Sequence, residues 1–260
     1  MQLETDKMVS ALIGGAIFNA SNILLAAAVS IAGMTVAFPL GVGLALVLGV
    51  IINYIGNPKG DVALLFIGVA LVALAIIVNG MAASRKVDAA QGNSRKGIIL
   101  AVIAGVLMSS FYRFVAAAMD LDNFSSPTPG MATPYTAFFI FSCGVLLSNF
   151  VFNTLAMRRP FVGTPVSYSD YFKGSFGTHL VGVFGGCVWG LGTALSYIAA
   201  GKAGAAISYA LGQGAPMIAA LWGIFIWKEF KGSNATTNWL LTLMFVLFIS
   251  GLSLVTLAGA

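Results

Sequence analysis

The sequence predicts an all-α polytopic membrane protein of eight transmembrane helices. They form an inverted repeat of a five-helix unit whose first two helices are missing from the N-terminal half. Three observations predict it. The 260 residues are 59% hydrophobic and only 8% charged, with a mean hydropathy of +0.96, whereas a soluble domain is about 25% charged. The apolar residues fall into eight runs, each near the ~20 residues that span a bilayer. And one stretch is present twice. The segment GGCVWGLGTALSYIAAGKAGAAISYALGQGAPMIAALWGIFIWKEFKG, from Gly185 to Gly232, shifted back by 171 positions, overlays without a gap on the segment that starts at Gly14. Gly14, Gly15, Gly33, Gly41 and Gly43 fall on Gly185, Gly186, Gly204, Gly212 and Gly214, and Phe18 falls on Trp189. A repeated helical unit in a membrane protein is the mark of a transporter built from two related halves.

The runs predict spans over 9–32, 34–56, 61–83, 97–119, 134–157, 178–200, 203–227 and 238–257. The opening MQLETDKM carries acids and no separate short apolar region, so it does not read as a signal peptide. Between spans three and four lies the polar loop SRKVDAAQGNSRK; DLDNFSSPTPG after span four is rich in turn formers and has no base. A longer loop, RRPFVGTPVSYSDYFKGSFG, precedes span six. Spans one to three match spans six to eight under the repeat, while spans four and five have no earlier partner. The halves are therefore 1–96, with three helices, and 97–260, with five. The opening then reads as a loop, and a longer upstream reading frame is expected to encode two further apolar runs.

The basic residues set an orientation. Arg85, Lys86, Arg95, Lys96, Arg158, Arg159, Lys173, Lys228 and Lys231 share one side, against Lys7, Lys59 and Lys202 on the other. The positive-inside rule puts the first group in the cytoplasm and both termini outside, in an inner (plasma) membrane. A half with an odd number of helices makes the two repeats run in opposite directions. The pI near 9.3 comes from these short loops, not from a nucleic-acid face, so no nucleic-acid partner is expected. Cys143 and Cys187 lie inside apolar runs and read as packing residues. No nucleophile–base pair, metal cluster or phosphate loop is legible, so neither an enzyme nor a cofactor is expected.

Polar residues at membrane depth are costly and mark either substrate contacts or interhelical hydrogen bonds. Asn19 and Asn22 share a face of span one. Trp189, Thr193 and Tyr197 form a stripe on span six, with Ser196 beside it. Ser208, Tyr209, Gln213 and Pro216 surround Gly212 and Gly214 on span seven, and Pro39, Gly41 and Gly43 repeat that break on span two. Paired helix breaks in two halves point to a substrate site, and Gln213 is the first binding candidate. Arg113 is the one charge well inside a run; its guanidinium suits a carbonyl or anion, or snorkels to the outer surface. Asn149 and Asn153, one turn apart on span five, are a weaker pair. His179 opens span six as a boundary residue. Asp61, Asp120, Asp122, Asp170 and Glu229 all lie at ends or loops, so carboxylate-based proton coupling has no obvious carrier; Glu229 reads as the partner of Lys228 or Lys231.

The words YALGQGAPMIAALWGIFIWKEFKG and LLTLMFVLFISGLSLV resemble the drug/metabolite transporter superfamily. FNASNILLAAAVSIAGMTVAFPLGVGLALVLGVIINYI is most similar to the branch holding the glucose/ribose porters and the ureide permeases. The resemblance implies a secondary carrier of small solutes, typically of ten helices in two inverted halves, two more than this chain has. Its central cavity would be lined here by spans one, two, six and seven. The expected function is a permease for a small polar metabolite, a sugar or a ureide- or nucleobase-like solute, working by alternating access. A drug or amino-acid exporter is the alternative within the superfamily, and a non-transporting membrane protein the alternative outside it. The expected binding residues are Asn19, Asn22, Arg113, Trp189, Thr193, Tyr197, Tyr209 and Gln213. The partners are the small-molecule substrate and the bilayer; a coupling ion (proton or sodium) and a homodimer are left open.

Overall fold

The computed structural model describes residues 3–33, 37–85, 95–123, 126–226, 228 and 230–260. Among these the chain is helical, and eight helices are long and apolar enough to cross a membrane. We number them α1 (Thr5–Ala32), α2 (Pro39–Gly56), α3 (Val62–Ser84), α4 (Arg95–Ala116), α5 (Pro134–Arg158), α6 (Phe176–Ala203), α7 (Ala205–Ile226) and α8 (Ala235–Ala258). This is a multi-pass integral membrane protein. A regular helix satisfies its backbone groups internally, as hydrocarbon requires.

The boundaries of two helices correspond. Shifted by 171 positions, the limits of α1 fall on those of α6. Both helices end at a glycine in a conformation closed to other residues, Gly33 (φ 79°, ψ 157°) and Gly204 (φ 90°, ψ 157°). The second helix of each set is irregular at the equivalent place. Residues Pro39–Gly43 form a π turn, and α7 stops at Gly212, turns through Gln213 and Gly214, and resumes at Ala215. Pro216 has no N–H to offer the Gly212 carbonyl, and Gln213 and Gly214 instead donate to Ala210 and Leu211. A second π turn, Trp222–Ile226, closes α7. Trp227 and Glu229 lie outside the described residues, as do Met34 and Lys86, so the expected pairing of Glu229 and the start of the second span do too.

Close packing is made by glycine. In α1, a methyl on Gly14 would lie 3.0 Å from the Phe111 carbonyl of α4, and one on Gly15 would lie 2.2 Å from the Phe141 carbonyl of α5. Gly68 of α3 and Gly251 of α8 face each other in the same manner, with 2.7 and 2.8 Å to the opposite carbonyl. With little hydrophobic drive between helices in lipid, such backbone approach is what holds them. The core is a mixed aliphatic and aromatic cluster in which Phe141 and Phe248 are fully buried.

Loop contacts agree with alternating spans. Lys59 after α2 donates to the Gly201 carbonyl at 2.9 Å; Lys96, at the start of α4, donates to the Phe161 carbonyl after α5 at 2.9 Å. The loop between α5 and α6, read from sequence as a plain connection, contains a one-turn helix, Tyr168–Phe172, closed by a Ser167–Asp170 capping box. Ser167 holds the Asp170 carboxyl below its usual range. His179 stacks obliquely on Tyr171 at 4.8 Å. Cys187, expected to pack, is exposed on α6, and Cys143 is half-buried.

Asp120 knots the loop that follows α4. Its carboxylate accepts from the amides of Asp122, Asn123 and Thr128 and from the Thr128 hydroxyl. Those bonds, the Thr128 amide foremost, hold its carboxyl below the usual Asp range. A lowered folded value stabilises the knot above the unfolded Asp value of about 3.9, and that contribution is lost as pH falls through the folded value. Amide exchange at Thr128, measured relative to the unprotected rate at the same pH, should therefore be slow at neutral pH and quicken on acidification below pH ~4. In Asp120→Ala it should be fast throughout; an unchanged pH profile in that variant would show that the carboxylate is not the cause.

Candidate functional site: a cavity at the helix breaks

A cavity of about 560 Å³ opens where the two irregular helices meet. Phe18, Asn22 and Leu25 of α1 form one wall, and Phe38, just before α2, and Val42 of α2 another. Trp189, Gly192, Thr193 and Ser196 of α6 face Tyr209, Gly212, Gln213 and Pro216 of α7 across the remainder. Met108, Phe111 and Tyr112 of α4 complete the lining. The lining contains aromatic rings, amides and hydroxyls and no charged side chain.

Each polar group has a definite position. Gln213 is delivered by the break itself: it caps the first half of α7, and its side-chain amide has no partner among the described residues. The Asn22 amide spends one N–H on the Phe18 carbonyl of its own helix (3.0 Å), which leaves its oxygen and second N–H for a ligand. Thr193 donates to the Trp189 carbonyl (3.0 Å) and can still accept. Tyr112 bonds the Ser196 carbonyl and hydroxyl, both at 3.1 Å, and Ser196 donates on to the Ser208 carbonyl at 3.3 Å. Tyr209 donates to the Ala45 carbonyl of α2 (2.9 Å) and lies 3.4 Å from that of Met108 on α4. Its ring is a strut that sets the spacing of three helices.

Phe18 and Trp189, repeat mates in sequence, stack on each other with centroids 4.8 Å apart and planes at 21°. One face of Trp189 is thus covered, yet the residue remains 43% exposed, so its other surface is free for a planar or ring-shaped solute.

Five of the eight residues expected from sequence, Asn22, Trp189, Thr193, Tyr209 and Gln213, line this cavity. The other three lie elsewhere. Asn19 is buried between α1 and α5, where its amide donates to the Ser148 hydroxyl at 3.0 Å and approaches the Val145 carbonyl at 3.4 Å; it joins helices. Arg113 lies against the end of α2, where a methyl on Gly56 would be 2.2 Å from its Nε. Tyr197 is fully buried, edge-on to Phe141 (5.8 Å) and Tyr112 (5.2 Å), with its hydroxyl unpartnered. Asn153 donates to Asn149 at 2.8 Å on α5, outside the cavity. Sequence reasoning missed α4 as a wall. Tyr112 is adjacent in sequence to Arg113, and which of two adjacent residues faces a cavity is decided by helix rotation.

Among the described residues, helices that span a membrane several times around an uncharged polar cavity at paired helix breaks form the kind of architecture membrane transporters use. The chain's family follows from comparison with known proteins. The ureide permease family model matches residues 80–258, well over half of the chain, and the chain belongs to that family. Ureide permease 4 of Arabidopsis thaliana is 29% identical over 161 residues, covering 61% of this chain and 39% of that protein. Ureide permease 2 of the same plant is 26% identical over 158 residues, covering 60% and 39%. Transmembrane protein 144 homolog B of Dictyostelium discoideum is 25% identical over 171 residues, covering 64% and 42%. The matched region thus spans about two-fifths of these relatives' length. No solved structure matches the chain significantly.

Proposed function

We propose that this chain forms the solute-binding part of a permease for a small, neutral, amide-rich solute of the ureide or nucleobase class. The observation that carries the reading is the pair of amides, Asn22 with its oxygen and one N–H left over and Gln213, in an uncharged cavity with aromatic walls. An amide offers one acceptor and two donors, the complement of a ureide's own N–H and C=O groups. A charged solute would find no counter-ion in the lining. A planar solute would lie against Trp189 while Asn22, Thr193 and Gln213 bond its edge. Membership of the ureide permease family supports the same class. Sugars offer hydroxyls in place of amides and are the next class to test.

Transport would proceed by alternating access, with the halves 1–96 and 97–260 as inverted units. The breaks at Pro39–Gly43 and at Gln213–Gly214 would be the points where the walls flex. The base-rich loops would face the cytoplasm, with an inner or plasma membrane as the location. Asn19, Tyr197 and Arg113 would support the site rather than touch solute. The aromatic walls favour one second reading, export of amphipathic drugs or amino acids.

The test is uptake of labelled ureides, nucleobases and sugars into proteoliposomes, using this chain and the reading frame extended upstream. Saturable ureide or nucleobase uptake supports the proposal. Uptake of sugar alone, or of none with folded protein of both forms, overturns it, and drug efflux is then the next assay. Given such uptake, Asn22→Leu and Gln213→Leu should each raise KM about tenfold, the equivalent of one lost hydrogen bond of roughly 1.4 kcal/mol. Unchanged KM in both, with normal melting, would place solute elsewhere.

A further inference from the structure

Helices α1 and α5 touch near their middle and part towards one end. A methyl on Gly15 would lie 2.2 Å from the Phe141 carbonyl, and one on Gly144 2.3 Å from the Leu12 carbonyl. One turn on, Asn19 bonds Ser148. The contacts advance together along both helices, so the two run parallel, and packed helices that cross at glycines splay beyond the crossing. The splay opens a second cleft, of about 330 Å³. Ala20, Ile23 and Leu24 of α1 face Phe152, Leu155 and Ala156 of α5 across it. Its sides are hydrocarbon, and the two alanines leave space that larger side chains would fill. It backs onto the cavity at the helix breaks, which Asn22 and Leu25 line from the same turns of α1.

One end of this cleft is cationic. Arg159 and Phe161, just past α5, close it. The Arg159 amide bonds the Leu155 carbonyl and caps the helix. Its guanidinium has no hydrogen-bond or ion-pair partner among the described residues. Lys96 donates to the Phe161 carbonyl at 2.9 Å and lies 6.0 Å from the centre of that ring. This holds Phe161 in place and leaves two of the three ammonium donors free. Asp170, the acid of the same loop, is committed to Ser167 and Lys173.

We propose that this cleft binds one anionic phospholipid, with an acyl chain between α1 and α5 and the phosphate on Arg159 and Lys96. The apolar body and cationic rim match the two ends of such a lipid. The Arg159 fork suits a phosphate, and Lys96 adds a point charge beside it. A zwitterionic lipid would bring a cation of its own to a rim that already holds two. A helix from a second copy would fill the apolar body but cover Arg159 without a counter-ion, which is costly in a membrane. Both cations belong to the base-rich side, and anionic lipids are concentrated in the cytoplasmic leaflet that this side would face. A bound acyl chain braces α1 against α5 directly behind Asn22, so the lipid steadies one wall of the cavity.

The test reads lipid and not transport. Binding of phosphatidylglycerol, phosphatidylcholine and inorganic phosphate to the detergent-purified chain is measured by native mass spectrometry and by the shift in melting temperature. Phosphatidylglycerol should bind once per chain and raise the melting temperature, and the other two should do neither. Arg159→Gln and Lys96→Gln should each weaken phosphatidylglycerol about fivefold, the share of one charge near the surface. Glutamine at 96 keeps a donor for the Phe161 carbonyl, so the end wall stays. Ala20→Leu and Ala156→Leu should each abolish binding with both cations in place. Lys202→Gln, exposed on the opposite side, should change nothing. Equal binding of phosphatidylcholine would show ordinary lipid contact, and an equal shift with phosphate an anion site without a chain. Full binding by both leucine variants would show adsorption of the headgroup alone. Each of these overturns the proposal. So does unchanged binding in Arg159→Gln and Lys96→Gln, whose exposed positions keep the test valid if leucine in the cleft unfolds the chain. A dimer that excludes lipid would assign the cleft to a second copy and overturn it too.

Discussion

Gly15→Leu should prevent stable assembly of the first half. The first methyl alone would lie 2.2 Å from the Phe141 carbonyl and 2.8 Å from the Val145 amide nitrogen. Both are backbone atoms of a regular helix, so no rotamer change relieves the contact, and α1 and α5 must separate. The opposite surface cannot yield, because Gly144 is equally close to the Leu12 carbonyl. Overpacking of this kind costs about 1–3 kcal/mol and more where the obstacle is backbone. Separation also breaks the Asn19–Ser148 bond one turn away, worth about 0.6 kcal/mol in a bilayer. The expected result is a loss of monodisperse protein, or a large fall in melting temperature in detergent. Gly186→Leu in the same 260-residue chain should melt as the parent does, since nothing stands within 4 Å of that position. The comparison controls for leucine in a glycine-rich helix, and equal melting of the two variants would refute the α1–α5 contact.

Gly49→Ala should disable the site while changing a single methyl. That methyl would lie 2.3 Å and 2.5 Å from two ring atoms of Tyr209 and 2.7 Å from its hydroxyl. The ring cannot swing aside. It is 2% exposed and edge-packed on Tyr112 at 5.6 Å, with Phe111 at 6.2 Å. Two effects oppose each other. Alanine is favoured over glycine in a helix by up to about 1 kcal/mol, but a methyl forced into a full core costs about 1–3 kcal/mol, so the clash wins. Displacing Tyr209 breaks its bond to Ala45 and shifts Tyr112, which bonds Ser196 on α6. Three cavity walls move together. Uptake should fall at least about tenfold, the equivalent of about 1.4 kcal/mol, with a lower melting temperature. Adding Tyr209→Val should restore melting without restoring uptake. Full uptake by Gly49→Ala would show that the Tyr209 strut does not set the cavity.

The contrast between these glycines bears on what could be read in advance. Gly14, Gly15, Gly185 and Gly186 are equivalent in the repeat, and nothing in their spacing separates a packed pair from a bare one. Eight spans were legible because each needs about 20 apolar residues, a property of composition along the chain. The breaks at Gly41 and Gly212 were legible because glycine and proline change the backbone locally. Asn19 and Asn22, three residues apart, read alike, yet one joins two helices and the other lines the cavity. In lipid, apolar outward faces carry little signal of rotation, so a side chain's neighbours are set by helices distant in sequence.

By itself the sequence determined the class of protein, the number of spans, the glycine spacing shared by two segments, the helix breaks and an uncharged set of polar residues at depth. These are local properties or properties of self-similarity, and each has a fixed physical consequence for a backbone in hydrocarbon. The tertiary structure alone decided which polar residues share the cavity, that α4 supplies a wall through Tyr112, that Phe18 covers one face of Trp189, and that Tyr209 rests on Gly49. Those depend on rotation and separation of helices, which are fixed by glycine contacts between segments as far apart as Leu12 and Gly144.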